Sequence, residues 1–250
     1  MNKLITSLKN EKVKNWRKLH NRKDRMKTET FIIEGFHLIQ EAIKSNWKIK
    51  EIIIQNDIDL PSWINDEDIL VTVVEEHVFQ HISQTKAPQG IAAVLQIQAN
   101  SMISGNRVLL LDRIQDPGNL GTIIRTADAA GFDAVVLGEG TVDLYNDKVI
   151  RSTQGSLFHI PVVQDNLSVC INHLKDKGYS IWASALTNSK NFHSVKQIAK
   201  VALLLGNERS GIDPGLIDLS DEIVKIPIYG KAESLNVSIA AGILMYYIMG

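Results

Sequence analysis

The chain has 250 residues, 44% hydrophobic and 22% charged, with a net charge of −1, which describes an ordinary globular protein of one large domain or two smaller ones. The near-neutral total does not by itself suggest a nucleic-acid partner, and no apolar run approaches the ~20 residues needed to cross a bilayer. The N-terminus lacks an apolar h-region, and the single cysteine, Cys170, rules out an internal disulfide framework, so a cytoplasmic protein is expected.

The charge distribution says more than the total. Lys9, Lys12, Lys14, Arg17, Lys18, Arg22, Lys23, Arg25 and Lys27 crowd one segment, with only Glu11, Asp24 and Glu29 nearby. Residues 9–27 are expected to be helical, with Val13, Trp16, Leu19 and Met26 as sparse apolar positions. A solvated helix face would account for such a run. A local basic field also attracts phosphates, and Trp16 and His20 could stack on bases, which makes Lys14, Arg17, Lys18, Arg22, Lys23 and Arg25 candidate RNA contacts.

FIIEGFHLIQEAIKSN (31–46) mixes a short apolar start with a helical stripe through Phe36, Ile39 and Ile43. EIIIQ (51–55), ILVTVV (69–74) and IAAVLQI (91–97) read as strands, with breaks at Pro61, Asn65-Asp66 and Pro88-Gln89-Gly90. Val78 and Ile82 suggest a helix. The result is a mixed α/β domain over 1–97. His77 and His81 would share a helix face, but no third ligand stands at a recognisable spacing, so packing or surface roles are expected and no metal.

Residues 98–106 are a polar candidate linker to a second domain, 107–250. There the apolar runs 108–112, 134–138, 159–163, 179–185, 201–206 and 222–227 alternate with helical segments. That pattern predicts a parallel sheet covered on both faces. Gly138-Glu139-Gly140 lacks the third glycine of a dinucleotide fingerprint, which disfavours a nucleotide-binding oxidoreductase. Cys170, in an amphipathic stretch, is expected to be a buried small hydrophobe.

Three loops carry polar groups that packing does not explain. In Asp116–Thr122, Asn119 is expected to cap a helix whose Arg125 is available to clamp a phosphate or carboxylate. In Gly206–Gly211, Glu208 offers a carboxylate, either to Arg125 or to a ligand amine. In Ile226–Asn236, Ser234 is expected to cap the last helix, with Asn236 adding an amide. The later part of that helix serves either the core or a dimer face.

DPGNLGTIIRTADAAG, LLLGNERSGI and IPIYGKAESLNVSIAAGI, in this order, resemble the three motifs of the SpoU (TrmH) class of SPOUT RNA methyltransferases. RMKTETFIIEGFHLIQEAI and APQGIAAVL resemble the L30e-like substrate-binding domain attached to such enzymes. The resemblance implies an α/β fold whose C-terminal parallel-sheet domain is tied in a deep trefoil knot, and a homodimer completing its active site across the interface. It implies S-adenosylmethionine as cofactor, held by Leu205, Gly206, Ile226, Ile228, Ser234, Leu235 and Asn236. Asn119, Arg125, Glu208, Ser234 and Asn236 match the family's catalytic and structural polar set.

The implied reaction is methyl transfer to a ribose 2′-oxygen of RNA, with 23S ribosomal RNA expected and transfer RNA as the alternative. Arginine stays protonated in proteins, so Arg125 is expected to fix the adjacent phosphate and stabilise the developing alkoxide, with Glu208 orienting its guanidinium. The proton would go to that phosphate, or to Arg125 if desolvation lowers its pKa. A non-catalytic RNA-binding ribosome-assembly factor is the competing function, and the intact polar set argues against it.

Overall fold

The computed structural model describes residues 4–45, 47–64, 69–98 and 103–250. The break expected at Asn65-Asp66 and residues 99–102 of the expected linker lie outside them. The chain forms two compact units. One gathers Met1–Ala99 and Tyr145–Phe158; the other gathers Asn100–Leu144 and His159–Gly250.

The first unit runs α1 (Glu11–Lys18), α2 (Arg22–Thr28), β1 (Thr30–Glu34), α3 (Phe36–Lys44), β2 (Ile49–Gln55), β3 (Leu70–Val74), α4 (Glu76–Ile82) and β4 (Ile91–Gln96). Its sheet has the order β1-β4-β2-β3, with β4 antiparallel to β1 and β2, and β2 parallel to β3. Val13, Trp16 and Leu19 pack with Val74, Val78, Phe79 and Ile82 in one core cluster.

The basic segment is two helices where one was expected. Asn10 caps α1 by accepting from Lys12 N, and a turn at Leu19–Asn21 separates α1 from α2. The turn resets the helical phase, so Arg25 faces inward at 4% exposure while Met26 stands out at 64%.

The second stretch of chain runs β5 (Arg107–Leu111), α5 (Pro117–Ala129), β6 (Ala134–Leu137), α6 (Asp147–Thr153), β7 (Val162–Gln164), α7 (Leu167–Asp176), β8 (Ser180–Ser184), β9 (Lys190–Asn191), β10 (Val201–Leu205), α8 (Pro214–Asp218), β11 (Glu222–Lys225) and α9 (Val237–Met249). Its sheet, β7-β6-β5-β10-β8-β11-β9, is parallel at every pairing. Strands β5 and β10 lie side by side, from Val201 opposite Arg107 to Leu205 opposite Leu111. Both are apolar runs buried on two faces, as central parallel strands require. Val108, Leu110, Ala202 and Leu204 meet Cys170, Ile171 and Leu174 of α7 on one face. Helix α9 packs on α5 and β10. Burying each such leucine contributes roughly 1.5–3 kcal/mol.

Helix α6 belongs to the first unit. Tyr145 lies 4.6 Å from Phe31 between ring centroids, and Phe158 lies 5.3 Å from Trp47. The Trp47 indole donates to the Phe158 carbonyl at 3.3 Å, and His37 Nε2 meets the Gln154 carbonyl at 3.1 Å. Cys170 is buried, and that burial pushes its thiol up to about 11, leaving an inert thiol. Among the described residues no helix is long and apolar enough to cross a membrane.

Candidate active site

The site is built at the carboxyl ends of β5 and β10, where open α/β sheets place ligands. Asp112 follows β5, and its N–H extends the ladder by donating to the Leu205 carbonyl at 2.8 Å. The Asp112 carboxylate is 4% exposed for the residue and accepts from Arg113 Nε and Nη2 at 2.9 Å each, and from Asp213 N at 2.8 Å. Arg113 itself turns the chain at φ +55°, and its carbonyl accepts from the Asn207 amide at 2.8 Å. Asn207 Oδ1 in turn accepts from the N–H groups of Arg209 and Ser210. A Cβ on Gly206 would sit 2.3 Å from Ile212 N, so the loop closes on itself only with glycine there.

Asp116 caps α5, accepting from Asn119 N at 2.8 Å, with Pro117 at the first helical position. This corrects the capping role expected of Asn119. The Asn119 side chain is available for other bonds, because the Asp116 carboxylate accepts the capping N–H. Asn119 Nδ2 donates to Glu208 Oε1 at 3.0 Å, and Asn119 Oδ1 accepts from Asn236 Nδ2 at 3.0 Å. One amide thereby joins all three loops.

Glu208 accepts two further, longer bonds of 3.4 Å from Gln115 N and Asp116 N. Partial burial pushes its pKa up. The Asn119 amide and the backbone N–H groups of Glu208, Gln115 and Asp116 outweigh that and leave it below the usual glutamate range. Glu208 is therefore an ionised anchor at neutral pH.

Asn236 caps α9, accepting from Ser238 N at 2.9 Å and Ser238 Oγ at 2.6 Å. Ser234, expected as that cap, is two residues too early; it is exposed, as is Leu235 at 37%. Ile226 and Ile228 are half-buried. Among the described residues, no hydrogen bond ties the backbone of 227–235 to the rest of the chain. Such a stretch offers unpaired amides and carbonyls beside the apolar side chains of Ile228 and Leu235, which suits the edge and faces of a purine ring. Leu205 is 1% exposed, so only its backbone is available to a ligand.

Arg125 is exposed, with no partner among the described residues. Glu208 does not orient it, contrary to expectation. Asn119 and Arg125 are six residues apart, about 9 Å along the helix and on different sides of it, and the β10 loop meets only the first turn.

The basic residues of the first unit differ among themselves. Lys14 pairs with Glu11 at 2.6 Å, Arg17 Nη1 lies 2.9 Å from His81 Nε2, and Lys18 reaches Asn15 at 3.5 Å. Arg22 and Lys23 are exposed and have no partner among the described residues. Arg25 is the correction: buried by the phase of α2, it donates from Nη1 to the Leu19 carbonyl at 2.7 Å and faces no external phosphate. Trp16, 3% exposed and donating to Glu51 at 3.0 Å, cannot stack on a base, and His20 Nε2 is 2.7 Å from the Ile82 carbonyl. His77 Nε2 meets the Thr6 carbonyl at 2.9 Å. Burial, then the Arg17 cation, holds His81 below the usual histidine range. Among the described residues no group of three possible metal ligands occurs.

Asp112, Arg113 and Asn207 are the site residues that sequence reasoning did not assign. Their signal was present: an acid directly after an apolar strand, and an asparagine directly after a strand-end glycine.

A parallel α/β sheet with three loops wired through one asparagine at the carboxyl ends of its strands defines a ligand-binding α/β protein. The chain belongs to the SpoU rRNA Methylase family, whose model matches residues 106–246; an MRM3-like substrate binding domain matches residues 10–93. The chain is 47% identical, over 99% of its length and 100% of the relative's, to the 23S rRNA (guanosine(2553)-2′-O)-methyltransferase RlmP of Bacillus subtilis (strain 168). It is 32% identical to a putative TrmH family tRNA/rRNA methyltransferase of Staphylococcus epidermidis, over 87% of this chain and 94% of that one. The crystal structure of an AdoMet-bound rRNA methyltransferase from Sinorhizobium meliloti matches with a TM-score of 0.87 and 33% identity, over 98% of this chain and 96% of that one.

Proposed function

We propose that this protein transfers a methyl group from S-adenosylmethionine to the ribose 2′-oxygen of a guanosine in 23S ribosomal RNA. The observation that carries the reading is the Asn236–Asn119–Glu208 chain of hydrogen bonds, which assembles the three motif loops into one site. The same wiring disfavours a purely RNA-binding assembly factor, which would have no need of it. The guanosine follows from the relative at 47% identity.

The cofactor supplies an electrophilic methyl group on a positively charged sulfur. Backbone groups of Leu205, Gly206, Ile226, Ile228 and Leu235, with Ser234 and Asn236, would hold it. Asn119 and Glu208 keep the first and second loops in register. Arg125, exposed and without a partner among the described residues, binds the phosphate beside the target ribose and stabilises negative charge as it develops on the 2′-oxygen; the 2′-OH proton passes to that phosphate or to Arg125 as the O–CH3 bond forms and the S–CH3 bond breaks. Orientation of the two reactants supplies much of the remaining rate. No metal is needed, because the leaving thioether is neutral.

The first unit delivers the RNA, with Lys14, Arg17, Lys18, Arg22 and Lys23 meeting phosphates, and the second performs the transfer in the cytoplasm. The placement of β10 between β5 and β8, and the return of α9 onto α5, support a trefoil knot in this part. An exposed stripe on α9, Ile239, Ile243, Tyr246 and Met249, supports a homodimer.

Mapping 2′-O-methyl groups in ribosomal RNA from cells with and without the gene tests the reading. A single 23S guanosine should lose its methyl group on deletion and regain it with the intact gene. An unchanged map would overturn the proposal.

A further inference from the structure

Tyr229 is 93% exposed, the most exposed of the large apolar side chains among the described residues. It sits in the 227–235 stretch that no hydrogen bond ties down, and a Cβ on the following Gly230 would meet only open space. A ring held wholly in water contributes nothing to the core and is available to a partner from outside the chain. Two cations accompany it. Lys231 is exposed in the same stretch, and Arg209 is exposed in the β10 loop; neither has a side-chain partner among the described residues. Glu233 is the one carboxylate of the stretch.

Strands β10 and β11 run parallel with β8 between them, so both loops leave the same sheet edge. Two strand spacings put their bases about 10 Å apart. The Asn236–Asn119–Glu208 bonds tie the end of one loop to the start of the other. We propose that Tyr229, flanked by Arg209 and Lys231, is a stacking platform for an unpaired base next to the methylated nucleotide. The ring takes the face of the base, and the cations take its flanking phosphates. The neighbours Lys231, Glu233 and Ser234 supply polar groups beside the ring, as a phosphodiester chain requires. This inference rests on the RNA methyl-transfer reading and adds a specificity determinant to it.

The test uses the full-length protein and a synthetic large-subunit rRNA fragment carrying the target guanosine, with 2-aminopurine at each flanking position in turn. One position should be quenched on binding. Tyr229→Ala should abolish that quenching and raise the RNA dissociation constant about tenfold, while Tyr229→Phe and Tyr229→Trp retain both. Arg209→Ala and Lys231→Ala should each reduce the slope of log affinity against log salt by about 0.7 per lost phosphate. Unchanged quenching and affinity in Tyr229→Ala would overturn the platform. So would a parallel loss of S-adenosylmethionine affinity or of the dimer in sedimentation, which would place the ring in the cofactor site or an interface. Wild-type turnover on the unlabelled fragment is measured alongside. Tyr229-dependent quenching without turnover upholds the platform and sinks the methyl-transfer reading; turnover indifferent to Tyr229 does the reverse.

Discussion

Asn119 donates its side-chain amide to Glu208 at 3.0 Å while accepting from Asn236 at the same distance, so a single side chain spans three loops separated by up to 117 residues of sequence. Neither bond is deeply buried, and each contributes about 1 kcal/mol to stability. The larger effect falls on geometry. Asn119→Ala should lower stability by roughly 1–2 kcal/mol in urea unfolding. It should weaken S-adenosylmethionine binding at least tenfold by calorimetry, because the β10 loop and the start of α9 lose their common anchor. Wild-type cofactor affinity in the variant would show that the loops hold their positions without Asn119.

Glu208 carries a pH signature. Its folded-state pKa lies below the ordinary value of 4.5, net of opposing burial, because the Asn119 amide and three backbone N–H groups favour the carboxylate. A depressed carboxylate contributes stability that is present above the unfolded pKa and is lost as pH falls through the folded one. The thermal midpoint should therefore lose a Glu208-dependent component below about pH 4.5. Glu208→Gln removes that component, so the difference between wild type and variant should shrink on acidification. A difference that is constant from pH 7 to pH 3 would mean that Glu208 titrates normally in the folded protein.

Under the proposed function, Arg125 acts on substrate and not on the fold. It is exposed and has no partner among the described residues, so Arg125→Ala should leave the thermal midpoint and cofactor affinity near wild type. Turnover should fall by roughly a hundredfold or more, the range seen when a preorganised donor to a developing oxyanion is removed. Single-turnover methylation with tritiated cofactor checks this, and wild-type rates would remove Arg125 from the transition state.

Much of the catalytic unit was legible in the sequence because central parallel strands leave a plain mark. The runs VLLL and VALLL are apolar throughout, and both are buried on two faces. Glu208 stands out as a carboxylate close behind a strand, and Asn119 and Asn236 as amides at helix starts. Their wiring was not legible. Glu208 was expected to meet Arg125, yet pairing depends on which turn of α5 faces the β10 loop, a matter of tertiary placement. The inward turn of Arg25 depends on a three-residue break in what reads as one helix. The association of Tyr145–Phe158 with the first unit rests on aromatic contacts with Phe31 and Trp47, more than a hundred residues away.

The basic helices divide into surface and core by exposure, and mutation should separate them. Arg22→Ala with Lys23→Ala should leave stability unchanged, lower RNA affinity, and reduce the salt slope by up to about 1.8 for duplex phosphates. Arg25→Ala should do the opposite. It leaves the Leu19 carbonyl without its 2.7 Å donor and opens a gap beneath α2, a loss of roughly 1–3 kcal/mol. Its RNA salt slope should match that of wild type. Filter binding across a salt series and urea unfolding distinguish the two. A reduced slope in Arg25→Ala at full stability would return that side chain to the RNA surface.

The last helix offers the remaining test. Ile239, Ile243, Tyr246 and Met249 recur at spacings of four, three and three, which places them along one face, and they are 55%, 38%, 57% and 46% exposed. The opposite face, Ala241, Leu244, Met245 and Ile248, is buried in the unit. A helix apolar all round belongs inside something, and the proposed homodimer would cover the open face. Ile243→Glu places a charge at the centre of that stripe without touching the buried face. It should convert a dimer to a monomer in sedimentation equilibrium at micromolar protein while preserving the far-ultraviolet dichroism. Turnover should fall with the dimer fraction and recover at high protein concentration if the site is completed across the interface. A variant that stays dimeric would move the interface elsewhere, and a monomer with full turnover would make each chain's active site self-sufficient.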